Sequence, residues 1–278
     1  GRVSGFSHPE RPPHFLTLET AQYFMAHLLR PKLDEGWFNS VRIPPNRLYS
    51  QVLDNLNKAA LVGFPLSEIG NKLKAAWVGE AEQQHVIQDI QASVALFRKF
   101  CLENNLLDFS LQMEIFAQGL WRTELCRTYL LNQYQHLIYD NLEEDTPVAH
   151  DILSEWLPAF TSSLLVYDWH AGFRSFLGAD PRSAYRLKDL CQANIQMNTT
   201  LVTSPAIKKI GRLLVSKLAA PASIRQEFPL PDFEMDQEHP EPVSQQFLQE
   251  SVRFSYHRYF PQMLDWVAQQ CARLVHQE

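Results

Sequence analysis

Two short apolar segments of this sequence each end in an aspartate, and these carboxylates are the residues best placed to do chemistry. Asp140 follows His136–Tyr139, and Asp168 follows Leu164–Tyr167. The Thr-Pro pair at 146–147 starts a helical pattern between them, so the order is strand, helix, strand. Because such a crossover makes the strands parallel, we expect both carboxylates at one edge of a parallel sheet. Carboxylates there can hold Mg²⁺ beside a nucleotide phosphate.

The composition favours a protein built mainly on helices. The 278 residues include 25 Lys and Arg against 31 Asp and Glu, a net charge of -6, and 45% are hydrophobic. This mild acidity disfavours a protein that coats nucleic acid through bulk charge. No apolar run approaches the ~18 residues of a membrane span, so we expect no membrane partner. The four cysteines form no CxxC pair, which favours reduced thiols and a cytoplasmic protein.

Apolar spacing divides the chain into four regions. Residues 1–40 lead into a helix that Thr17 can cap, and residues 41–134 have the 3.6-residue spacing of a helical bundle. Residues 135–220 hold the strand–helix–strand unit and a further helix. Residues 221–278 begin with an acidic, Pro-rich linker and end in a helix. Three alternating apolar residues in this last region predict one more strand: Val252, Phe254 and Tyr256.

Several segments resemble the motifs of superfamily 1 DNA helicases of the UvrD, Rep and PcrA type. Residues 136–147, HLIYDNLEEDTP, are similar to the family's Walker B segment DEFQDTNP, and residues 165–181, LVYDWHAGFRSFLGADP, are similar to VGDPDQSIYSFRGADP. The match at Phe176 and Gly178–Pro181 is the most specific. Three weaker likenesses are FLTLET at 15–20 to TFHSF, LDFS at 107–110 to DFDDL, and LCQANIQMN at 190–198 to LxQNYRS.

The resemblance implies an α/β fold, namely a partial RecA-like (P-loop NTPase) parallel sheet with a large all-helical insertion. Residues 1–40 and 135–220 would form the RecA-like part, and residues 41–134 would be the insertion. Residues 221–278 would lead toward a second motor domain. No GxxxxGK[ST] sequence is present, so the chain would begin after the family's phosphate loop.

The groups that the family uses for phosphoryl transfer are substituted. Asp140 would be a relic of the metal-binding carboxylate, and Asp168 a relic of the nucleotide site. The degenerate positions are Asn141 for the catalytic Glu, Glu143 for a Gln, Ala171 for the phosphate-sensing Gln, Leu177 for an Arg and Gln196 for the transition-state Arg. An amide cannot accept a proton, and the missing polar groups remove the charge stabilisation that the transfer needs. We therefore expect no catalytic residue and no cofactor, whereas a fragment of an active helicase would bind ATP and Mg²⁺.

The same resemblance implies single-stranded or duplex DNA as a partner, in repair or recombination. Residues 182–217 contain seven Lys and Arg against one Asp, and the candidate phosphate contacts there are Arg182, Arg186, Lys188, Lys208, Lys209 and Arg212. Trp169 and Phe173 could stack on bases or could pack under the sheet. If the nucleotide site is a relic, we expect Trp169, Phe173 or Leu177 to close its groove. The acidic run Glu143, Glu144 and Asp145 could form a separate metal or acid/base site, but it is more typical of a solvated loop.

Three functions are compatible with these patterns. The first is a non-catalytic helicase-like module that binds nucleic acid or protein, and the substitutions favour it. The second is a fragment of an active ATP-dependent DNA helicase whose motifs have diverged. The third is a protein-interaction scaffold that docks a partner on the helical insertion.

Overall fold

The described strands form two separate parallel pairs in a chain that is mostly helical. The computed structural model describes residues 5–77, 84–169, 171–197, 202–218, 244, 246–247 and 251–276, without the side chains of 212 and 215–218. It divides the chain into two compact units, Gly1–Asn194 and Ile195–Glu278. The pairs are β1 (His14–Phe15) with β2 (Leu106–Leu107), and β3 (His136–Tyr139) with β4 (Ser162–Leu165).

The expected RecA-like sheet with a helical insertion is wrong. The structure is 64% helical, and each of its two parallel sheets has two short strands. The first pair is two residues long, so its strands add little to the packing around them. The helices that we expected to form an insertion instead share a core with the helix Leu18–Asp34, and this core is larger than the one beneath β3 and β4.

Eight α-helices are described in the first unit. They are α1 (Leu18–Asp34), α2 (Pro45–Val62), α3 (Ile69–Ala75), α4 (His85–Glu103), α5 (Phe109–Glu114), α6 (Glu124–Gln133), α7 (Pro147–Trp156) and α8 (Pro181–Arg186). Thr17 caps α1 as predicted, because its side chain accepts a hydrogen bond from Thr20 N. Gly63 ends α2 in the left-handed conformation, which a residue without Cβ adopts freely.

The larger core is made by the apolar faces of α1, α2 and α4. Its most deeply buried side chains are Met25 and Leu29 of α1, Val52 and Leu56 of α2, and Val94, Phe97 and Cys101 of α4. They recur at spacings of three and four residues, as one face of a helix does. Burying side chains of this size contributes about 1.5–3 kcal/mol each, so this core supplies most of the first unit's apolar burial.

The smaller core lies under one face of β3 and β4. Leu142, Leu153 and Leu157 form its centre, and alternate strand residues such as Leu137 and Leu165 pack against it. The opposite strand face is open, with Ile138 78% and Leu164 55% exposed. Our expectation that these strands would be too apolar for the surface is therefore wrong, because no second layer covers this pair among the described residues.

The second unit contains α9 (Pro205–Leu218) and α10 (Phe260–Val275), both at positions that the sequence predicts. The expected strand at 252–256 is wrong, because these residues form no regular element. The linker at 221–242 lies outside the described residues. All four cysteines are free thiols. Among the described helices, none has the length and apolar character needed to cross a membrane.

Candidate functional site

The strand–helix–strand unit around the two aspartates is present as predicted. β3 and β4 are adjacent and parallel, with Tyr139 opposite Leu165, and α7 connects them. Asp140 and Asp168 both follow the carboxyl ends of these strands and are exposed to solvent. Asn141 has a φ of 54°, so the chain turns sharply directly after β3. The ends of both strands therefore face the same group of loops.

Glu143 is not a solvated residue but the most deeply buried acid of the site. Its side chain has no exposed surface, and Oε2 accepts a hydrogen bond of 3.0 Å from Asp168 N. This bond ties the turn after β3 to the segment after β4. Oε1 of Glu143 has no hydrogen-bond partner in the described part of the chain. The expectation of a solvated acidic run is wrong here, because the carboxylate satisfies a backbone amide that the strand end leaves unpaired.

Glu144 anchors the loop that follows β4. Its carboxylate accepts hydrogen bonds from three successive amides, those of Gly172, Phe173 and Arg174, at 2.9, 3.0 and 3.0 Å. The Arg174 guanidinium lies 3.7 Å from the same carboxylate. Burial raises the pKa of Glu144, but the amides of Phe173, Gly172 and Arg174 and the nearby guanidinium outweigh it, so the pKa is lowered overall. Glu144 therefore stays ionised and keeps the loop backbone in place at neutral pH.

Two further polar side chains, Asp145 and His150, fix the elements beneath this loop. Asp145 accepts a hydrogen bond from the Tyr139 hydroxyl, and burial followed by this bond raises the pKa of Tyr139. His150, which is buried in α7, lies with Nε2 2.9 Å from Leu142 O and Nδ1 2.6 Å from the Ser183 hydroxyl. The imidazole thereby links α7 both to the turn after β3 and to α8. These contacts are structural, and they make a rigid base for the loop.

The loop presents large apolar side chains to solvent. Phe173, Phe176 and Leu177 are 76%, 69% and 54% exposed. Of the three residues expected to close the groove, Phe173 and Leu177 are therefore exposed, whereas Trp169 is half-buried. Glycines stand at both ends of the turn 173–177, where Gly172 and Gly178 have φ values of +92° and +96°. Because the backbone is held by Glu144, the aromatic rings project from a fixed support.

Trp169 is half-buried and packs on other aromatic rings. Its ring centroid lies 5.3 Å from that of Tyr167 and 4.4 Å from that of Tyr185. Lys188 lies over the Tyr185 ring and donates a 2.6 Å hydrogen bond to its hydroxyl. Burial, and then the negative charge of Glu143, raises the pKa of Tyr167 to about 12. This geometry favours packing within the protein over base stacking as the role of Trp169.

The predicted basic residues are divided between the two units. Arg182 and Arg186 on α8 and Lys188 just after it are exposed in the first unit. Lys208 and Lys209 on α9 are half-buried in the second unit, and Lys209 lies over the ring of Phe247. The side chain of Arg212 lies outside the described residues.

The degenerate motif positions are also separated. Asn141, Ala171 and Leu177 lie in the loops around β3 and β4, and Leu177 is exposed. Gln196 lies in the second unit and is exposed. Among the described residues no three His, Cys, Asp or Glu side chains are grouped so that they could hold a metal ion.

No known family model matches this sequence, and a search of curated proteins found no relative. Glu143, Glu144 and Asp145 of this site bind the protein's own amides and a tyrosine hydroxyl, whereas Phe173 and Phe176 face solvent. Such an arrangement is suited to binding rather than to proton or phosphoryl transfer.

Two residues of this site, Glu144 and Phe176, were not selected from the sequence. Phe176 was noted only as a position that matches the helicase motif. An exposed aromatic inside a Gly-flanked loop, GFRSFLG at 172–178, is a signal that could have identified it. No local signal identifies Glu144, because its three partners lie 28 to 30 residues further along the chain.

Proposed function

We propose that this chain is a cytoplasmic helicase-like module that binds single-stranded nucleic acid and does not hydrolyse ATP. The observation that carries this proposal is the exposure of Phe173 and Phe176 on a loop whose backbone is held by Glu144. Exposed aromatic side chains on a rigid support are a stacking platform for unpaired bases. The resemblance to UvrD-type helicases agrees with this class of partner.

The charges around the loop support the same partner. Arg174 lies within it, and Arg182, Arg186 and Lys188 are exposed in the same unit. These side chains could contact a few phosphates of one strand, so binding should weaken as salt rises. The net charge of -6 limits the contribution of bulk attraction, so the aromatic contacts should supply much of the affinity.

The absence of ATP hydrolysis is supported by the state of the acidic residues. Glu143 and Glu144 accept hydrogen bonds from backbone amides, and Asp145 accepts one from Tyr139. Glu143 has no exposed surface, and the Glu144 and Asp145 carboxylates are engaged within the protein, so we expect none of the three to act as a general base. The position of the family's catalytic Glu is Asn141, whose amide has no basic site.

The binding proposal is tested by fluorescence anisotropy with a labelled single-stranded oligonucleotide. Stacking contributes about 1–3 kcal/mol per base, so Phe173→Ala and Phe176→Ala should each weaken binding roughly fivefold to 100-fold. Tyr23→Ala is the matched control, because Tyr23 is an exposed aromatic on α1, away from the loop in sequence, and this variant should bind like the parent. A parent chain that binds no strand, or a Phe173→Ala/Phe176→Ala variant that binds as tightly as the parent, would overturn the proposal. The former result would favour the scaffold hypothesis.

Hydrolysis is tested separately by phosphate release from ATP with Mg²⁺, with and without the oligonucleotide. We expect no release above background in either case. Release that Asp140→Ala abolishes would contradict this expectation and would support the fragment of an active helicase.

A further inference from the structure

A cavity in the first unit lies where β1 and β2 end, and the proposed binding loop does not use it. Its volume is about 310 Å³, and it is lined by residues that directly follow the two strands, including Leu16 and Phe109. A volume of roughly 300 Å³ is at the lower end of the range for small-molecule sites.

The walls of the cavity are mainly apolar. Leu16, Ala21 and Leu53 line it and are buried in the protein, whereas Leu18 and Phe109 line it and are partly exposed. Apolar surface around a small cavity favours a ring or a branched hydrocarbon group. Phe109 adds a flat aromatic face on which a planar ring can stack.

Two carboxamides supply hydrogen-bonding groups among these apolar walls. Asn57 on α2 and Gln112 on α5 both line the cavity and are half-buried. Gln112 Nε2 is 3.4 Å from Leu107 O, so its carbonyl oxygen is left as an acceptor. An amide presents one donor edge and one acceptor edge, and it pairs best with another group that has both.

The charged side chain that lines the cavity is buried and already has partners within the protein. Asp108 is the charged residue among its lining, and its carboxylate lies 3.5 Å from Arg98 Nη1 and accepts a 3.1 Å hydrogen bond from Ser110 N. Arg98 also forms a 3.0 Å ion pair with Glu114. A charged ligand would lose its hydration without gaining a free counter-charge, so the lining favours an uncharged ligand.

We propose that this cavity binds an uncharged planar ring with a carboxamide or lactam edge. The ring lies between Leu53 and Phe109, and the edge pairs with Asn57 and Gln112. This site is separate from the loop at 172–178 that carries Phe173 and Phe176. A negative result for the cavity would therefore leave the proposed nucleic-acid binding untouched.

The charge preference is tested with three probes of nearly equal shape: benzamide, benzoate and benzylamine. Each is titrated into the isotope-labelled full chain, and the backbone and side-chain amide shifts are followed by NMR. Benzamide should saturate at millimolar concentration, as a small fragment does, with shifts at Leu18, Asn57 and Phe109. The anionic and cationic probes should bind at least tenfold more weakly. Equal binding of all three, no saturation by benzamide, or shifts confined to other residues would overturn the proposal.

Two variants test the assigned contacts. Leu53→Trp should abolish benzamide binding by filling the cavity. Because that change could unfold the chain, Asn57→Leu is measured as well, since Asn57 is half-buried and its replacement leaves the main core intact. Asn57→Leu should weaken benzamide binding at least threefold. Asn71 on α3 does not line the cavity, so Asn71→Leu should leave the benzamide affinity unchanged. An unchanged benzamide affinity in a folded Asn57→Leu variant would refute the role of this carboxamide.

Discussion

The substitution Gly172→Ala, which adds one methyl group, tests the geometry of the loop at 172–178 that carries Phe173 and Phe176, the aromatic loop. Gly172 has a φ of +92°, and a Cβ built on it would lie 2.5 Å from Cγ of Pro181. The left-handed conformation costs a non-glycine residue roughly 1–2 kcal/mol, and overpacking costs about 1–3 kcal/mol more. We therefore expect Gly172→Ala to lower the free energy of unfolding by about 2–5 kcal/mol. The shifted loop should also bind a single strand less tightly.

Two other glycines separate the backbone cost from the overlap. Gly36 has a φ of +99°, and no atom lies within 4 Å of a Cβ added there. Gly178 has a φ of +96°, and the atom nearest to a Cβ added there belongs to Leu61, at a distance of 3.6 Å. Gly36→Ala and Gly178→Ala should each cost only the backbone term, about 1–2 kcal/mol. The assay is urea unfolding of all three variants followed by tryptophan fluorescence. A Gly172→Ala variant no less stable than Gly36→Ala would refute the overlap with Pro181 and the loop geometry built on it.

Three further predictions concern titratable groups. Arg98→Met should lower the free energy of unfolding by about 3–5 kcal/mol, because Asp108 then stays buried without its cation. The double variant Arg98→Met/Asp108→Leu should recover part of this loss in the same urea assay. Tyr167, whose pKa is raised to about 12, should stay protonated while ordinary tyrosines ionise near pH 10, so Tyr167→Phe should leave the tyrosinate absorbance up to about pH 11 unchanged. The pKa of Glu144 is lowered in the folded protein, so the contribution of Glu144 to stability should be complete above about pH 4.3, the ordinary pKa of a glutamate. This contribution should be lost as the pH falls through the lowered pKa, and hydrogen exchange of the loop amides measures the loss.

The local elements of the fold could be predicted because their signals are local. Thr17 and the Thr-Pro pair at 146–147 mark the starts of α1 and α7, and both helices begin there. The parallel pairing of β3 with β4 follows from the intervening helix. The expected partial RecA-like sheet was wrong, because sequence periodicity does not tell which strands share a sheet. The first pair and the second pair remain separate sheets, and the resemblance alone suggested that they would join.

The candidate site could be predicted in position but not in detail. Asp140 and Asp168 were placed correctly at the strand ends, because apolar runs that end in Asp mark such ends. The burial of Glu143 could not be foreseen, since its partner, the amide of Asp168, lies 25 residues away. The exposure of Phe173 was left open between base stacking and packing under the sheet, because the amides of its loop are held by Glu144, which lies 29 residues away. Contacts between distant segments decided both outcomes.

Metal binding by Glu143 or Glu144 would compete with loop anchoring, because their carboxylates already accept hydrogen bonds from backbone amides. For Glu143 to act on a nucleotide or metal, its side chain, which has no exposed surface, would have to leave its buried position and the amide of Asp168. For Glu144 to do so, three amides would lose their common acceptor. Losing these four hydrogen bonds, of which those from Asp168 and Gly172 are partly buried, would cost about 0.5–1.5 kcal/mol each, so the anchored arrangement is preferred over one that recruits these carboxylates as ligands. The residues that could have supplied charge for catalysis instead hold Phe173 and Phe176 in a fixed position, and this is the physical reason for preferring a binding function at this site.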